Sequence, residues 1–167
     1  MTKRNCSIAL AGLELAAAGW STITMAETPE ASPADVTGAT YRMEPAYLVA
    51  AHVPSDDADK VLASVVAAVG LEYGKYDHVA YLDAPGLEQY RPMAGSKAGE
   101  QAAPGRTTTT NISFSIPRDT RMLKKAIDAV YGAHTYEEPV IYVSEVWRSR
   151  STSSDDTNPN RWWNKKQ

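Results

Sequence analysis

Between residues 46 and 148 the apolar positions spell out the same set of elements twice. "AYLVAAHVP" is a strand-like run closed by Pro54, and "SDDADKVLASVVAAVG" follows it. In this second stretch Val61, Leu62, Val65, Val66 and Val69 fall on one helical face, with Ser55 or Asp56 as N-cap and Gly70 as the stop. Then "TTNISFSIP" alternates Ile112, Phe114 and Ile116 with Asn111, Ser113 and Ser115, the period of a strand with one buried face. After Pro117, "RDTRMLKKAIDAVYG" repeats the helical spacing through Met122, Leu123, Ala126, Ile127, Val130 and Tyr131, with Gly132 as its stop. Each unit is completed by a further strand, "DHVAYLD" and "PVIYVSEVW".

The order βαβ–βαβ predicts an α+β fold of the ferredoxin-like kind. It comprises a four-stranded antiparallel sheet with both helices on one face and, with right-handed crossovers, strand order 4-1-3-2. Residues 84–106, "APGLEQYRPMAGSKAGEQAAPGR", connect the second and third strands and hold too many glycines and prolines for regular structure throughout. They are expected to form a long, functional or mobile loop. Along the first strand Tyr47, Val49, Ala51 and Val53 share the face assigned to the helices, and alternation turns His52 to the opposite face.

The ends of the chain have a different composition. "MTKRN" is a basic start, "CSIALAGLELAAAGW" is mostly apolar, and Thr24 and Ala26 stand where a signal peptidase reads small residues, so 1–26 reads as an export signal despite Glu14. That makes the expected location periplasmic or secreted, with no membrane-spanning helix. Cys6, the single cysteine, lies in this leader, so the mature chain would offer neither disulfide nor thiolate. Residues 27–45 read as a flexible Pro- and Ala-rich arm. Residues 149–167 form a polar tail carrying Trp162 and Trp163, which either dock on the body or oligomer or meet a partner. A formal charge of −3 provides no basic footprint for nucleic acid.

"GKYDHVAY", "YRPMAGS" and "AHTYEEPVIYVSEVW" resemble, in order and spacing, the CutA-like and PII-like domain inserted in dinuclear-metal proteins of the NIF-three type. The resemblance covers 46–148 and implies a domain that forms a homotrimer, burying the sheet face opposite the helices. It implies no hydrolase activity, because the metal-binding domain of those larger proteins has no counterpart here. Two departures stand out. Thr135 replaces a proline common in the "HPYEE" stretch, and His52 stands where relatives carry an apolar or aromatic residue.

No nucleophile–base–acid spacing and no glycine-rich phosphate cradle is present, so a non-enzymatic role is expected. Imidazole with carboxylate suits copper, zinc, nickel or cobalt. In a 4-1-3-2 sheet the end of the first strand meets the start of the fourth, which brings His52 towards His134 and Glu137. His78 begins the far-edge strand at the opposite end and can join them only from a neighbouring subunit. These four residues are the candidate metal ligands of a periplasmic metal-binding or metal-sensing trimer; the alternative is that the histidines are hydrogen-bonded structural groups. A second functional reading is a metal-free, PII-like signalling module that binds a small anion or a protein partner through the 84–106 loop. Arg91, Lys97 and Arg106 are its candidate contacts.

Overall fold

The computed structural model describes residues 32–152 and 157–165. The export signal expected over 1–26 lies outside them. The elements are β1 (Tyr41–Pro54), α1 (Ala58–Val69), β2 (Tyr81–Leu82), β3 (Gly86–Tyr90), β4 (Gly105–Pro117), α2 (Thr120–Ala133) and β5 (Ile141–Ser151). All pairings are antiparallel, β1 lies between β4 and β5, and β4 carries both β2 and β3 on its other side. With β3 set aside, the path β2-β4-β1-β5 is the 4-1-3-2 order expected from the crossovers.

The expected alternation places the core. Tyr47, Val49, Ala51 and Val53 pair with Ile116, Phe114, Ile112 and Thr110, and all eight side chains are buried on the helix side. Val61 and Val65 of α1 and Ala126 and Val130 of α2 complete this core, each helix contributing residues three or four apart. Fully burying a valine- to phenylalanine-sized side chain contributes about 1.5–3 kcal/mol, so this single layer dominates the stability of the domain. The Ser64 hydroxyl donates to the Ala129 carbonyl at 3.1 Å and ties the helices to each other.

Several boundaries differ from expectation for local reasons. Strand β1 begins at Tyr41, because Tyr41–Pro45, expected in the arm, pair with Trp147–Ser151; β5 correspondingly runs past 148. Ser55–Asp57 form a 3₁₀ turn, and the N-cap of α1 is Asp57 rather than Ser55 or Asp56. The expected stop does hold for α1, where Gly70 adopts φ +74° and its N–H reaches the Val66 carbonyl. Gly132, in contrast, lies inside α2, which ends at Ala133 with an extended His134 as C-cap. The sheet has five strands instead of four, because "GLEQY" at the start of the long connection folds back on β4.

A candidate ligand cleft on the open sheet face

His52 sits directly opposite Asn111 on the sheet face that the helices leave uncovered. Strand β3 brings Glu88 to the same place, with its carboxylate Oε1 3.5 Å from His52 Nδ1. The pair is half enclosed, with the imidazole side chain 36% and the carboxylate side chain 17% exposed. Glu88 also accepts from the Thr109 hydroxyl at 3.2 Å, and the His52 ring meets Tyr142 edge-on at 5.7 Å.

These residues line a cleft of about 250 Å³, floored by Asn111 and Thr109 and walled by Asp83, Ala84, Gly86 and Leu87. Asn111 donates from Nδ2 to Asp83 at 2.7 Å and to Ser113 at 3.0 Å, while its buried Oδ1 has no hydrogen-bond partner. An unpaired buried acceptor costs about 1–3 kcal/mol. The arrangement thus combines one imidazole nitrogen and two carboxylates in a pocket of small-ligand or hydrated-ion size.

His134 is brought close to His52, as the topology predicts, but its imidazole meets the backbone carbonyl of His52 and not its ring. Nδ1 of His134 accepts the Tyr136 N–H at 2.9 Å, and this fixes the proton on Nε2, which donates to the His52 carbonyl at 2.8 Å. Both ring nitrogens are therefore used structurally. Glu137 is equally engaged, accepting the Lys97 N–H at 2.9 Å, and His78 lies in an exposed turn at φ +56° with its ring 3.3 Å from Asp77. Within one chain, then, His52 finds Glu88 rather than the expected His134 and Glu137, while His78, expected to join only from a neighbouring subunit, lies in its own exposed turn. Among the described residues no group of three His, Cys, Asp or Glu side chains is placed to hold a metal ion.

The "AHTYEE" stretch acts mainly as a joint. Thr135 donates its hydroxyl to Asp57 at 2.8 Å and fastens the end of α2 to the start of α1. Tyr136 packs at 4.8 Å on His134 and 6.2 Å from Tyr90. Burial of its phenol raises its pKa above the ordinary 10.0. Thr109 and Thr107 favour the ionised form but make no well-formed bond to it, and the Glu88 charge adds to the rise. Of the loop cations, Arg91 donates to the Gln101 carbonyl and Arg106 to the Gln89 side chain, so both brace the 84–106 segment.

Glu88 is the site residue that sequence reasoning missed. A signal was present, since Leu87 and Gln89 alternate with Glu88 and Tyr90, but five residues between Pro85 and Pro92 are too short a run to stand out.

No family model and no curated protein sequence matches the chain. Among solved structures, a Bacillus cereus protein related to NIF3 is similar at TM-score 0.53 and 25% identity, over 62% of this chain and 26% of that one. CutA from Synechococcus elongatus PCC7942 aligns at TM-score 0.45 and 21% identity over 64% and 80% of the two chains. The periplasmic divalent cation tolerance protein CutA from Archaeoglobus fulgidus aligns at 0.44 and 14% over 60% and 83%. The domain thus has an α+β, ferredoxin-like fold similar to the matched part of the NIF3-related protein, of which the chain spans about a quarter.

Proposed function

We propose that this chain is a non-enzymatic, exported protein that binds a transition-metal ion (copper, zinc, nickel or cobalt) at the His52–Glu88 cleft and works as a homotrimer. The observation that carries the reading is the His52 imidazole facing the Glu88 carboxylate at 3.5 Å in the cleft. An imidazole nitrogen and a carboxylate oxygen are donors that borderline divalent ions accept, and Asp83 adds a second carboxylate to the wall. One chain supplies a partial ligand set, so the ion is completed by water or by His78 of a second copy, whose exposed ring lies beside Asp77.

Self-association is supported by the open face itself. Tyr81, Ser113, Ala50 and Tyr142 form one row across the four strands, and Leu48 lies beside it; Tyr81 and Tyr142 are 67% and 60% exposed. Packing this face around a threefold axis would cover those rings and enclose the cleft.

Calorimetric titration of tag-free protein with the four metal salts tests the reading. The parent should bind at least one of them, and His52→Ala and Glu88→Gln should each weaken binding more than tenfold, which is above about 1.4 kcal/mol. Affinity should fall as pH is lowered, because protons and metal compete for the same donor atoms. Parent-like binding by both variants would overturn the site, and binding no tighter than that of a surface histidine would favour a metal-free module.

A further inference from the structure

We propose that the segment 157–165 is a docking element for an anionic lipid surface. Trp162 and Trp163 are 78% and 50% exposed and sit side by side in one 3₁₀ turn, their rings edge-to-face at 5.7 Å. A tail folded for its own stability would put two indoles against the domain; this one leaves them in solvent.

The turn that presents them is built by Asn158. Its carbonyl accepts the Arg161 N–H at 3.1 Å and the Asn164 side-chain amide at 2.9 Å, and its own side chain accepts the Asn160 N–H at 2.9 Å. The rings are therefore held ready, and less conformational freedom is lost when they meet a surface.

Charge selects the surface. Residues 157–167 carry Arg161, Lys165 and Lys166 and no acid, in a chain whose formal charge is −3. The Arg161 guanidinium lies 5.9 Å from the centre of the Trp163 ring, which places a cation beside an amphipathic aromatic. Indoles settle at the headgroup level, where the N–H stays wet and the ring meets acyl chain, while neighbouring cations pair with lipid phosphates. Arg161 also lines a cleft with Thr40, Tyr41 and Tyr73, so docking would hold the β1 and β5 ends of the domain at the membrane. Among the described residues no helix is long and apolar enough to cross a membrane, so the association proposed is peripheral.

The test uses the full chain with Trp20→Phe and Trp147→Phe, so that emission comes from the tail pair alone. It is mixed with vesicles of phosphatidylcholine, with or without phosphatidylglycerol. The expected result is a blue shift, and quenching by bromine-labelled lipid, with the phosphatidylglycerol vesicles, both weakening as salt rises. Partitioning should fall at least tenfold when Arg161, Lys165 and Lys166 are changed to alanine. Vesicle sedimentation of the chain with its native tryptophans should fall likewise in Trp162→Ala/Trp163→Ala. Emission unchanged by vesicles would overturn the proposal. So would equal binding to both vesicle types, or a blue shift that follows protein concentration without lipid, the sign of docking on a second copy.

Discussion

At the scale of single residues, His52 and His134 look alike in the sequence, each flanked by small or apolar residues at a strand boundary. They are separated by what their ring nitrogens meet: a carboxylate in a cleft for His52, two backbone groups for His134. Sequence alone shows neither the tautomer nor the register that decides this. His134→Ala should therefore leave metal affinity within about twofold while losing two hydrogen bonds, at a cost of about 1–3 kcal/mol read by denaturant unfolding. A loss of metal binding with stability unchanged would reverse the assignment. Tyr136 gives a second test. Its pKa is raised in the folded state, so the stability it confers is present below the ordinary tyrosine value of 10.0 and lost as pH rises through the folded value. Spectrophotometric titration should show one phenol ionising after the others, and Tyr136→Phe should remove that late step.

At the scale of elements, the helices were legible because their apolar positions recur three or four residues apart; of the expected end signals Gly70 held, while the N-cap of α1 and the Gly132 stop did not. Asp119 accepts the N–H groups of Arg121 and Met122, and together with the Arg121 side chain these bonds hold its carboxyl below the ordinary 3.8. A depressed folded value confers stability above the unfolded one and loses it as pH falls through the folded one. Asp119→Ala should lower the thermal midpoint at pH 7, and the gap from the parent should close as pH drops below 3.8. Gly70 ends α1 at φ +74°, and a Cβ there would meet only the Glu72 side chain at an ordinary 3.8 Å, so Gly70→Ala should cost about 1–2 kcal/mol through backbone strain. Strand β3 was not legible, because its pairing with Thr107–Thr109 is set by a partner some twenty residues away and by no strong local pattern. With it went Glu88, and hence the cleft.

At the scale of the whole molecule, strand order followed from two repeated units and the handedness of crossovers, so it could be read before any coordinates. The identity of the site could not, since it depends on which polar residues of the open face are brought together by a strand within a loop. The same face carries the proposed association: Tyr81, Tyr142 and Leu48 are exposed on it, and the cleft that one chain only partly lines opens there too. Light scattering at micromolar concentration should give a trimer, and Tyr142→Lys, which puts charge on that face, should shift it towards monomer; a persistent monomer for the parent would remove the trimer. Native mass spectrometry of tag-free protein, loaded with whichever of the four metals binds in the titration and compared with His52→Ala, tests metal site and assembly together. A parent trimer with one ion per chain and a His52→Ala trimer with none are expected; a parent free of all four metals, or a variant that keeps its ions, would overturn the metal site.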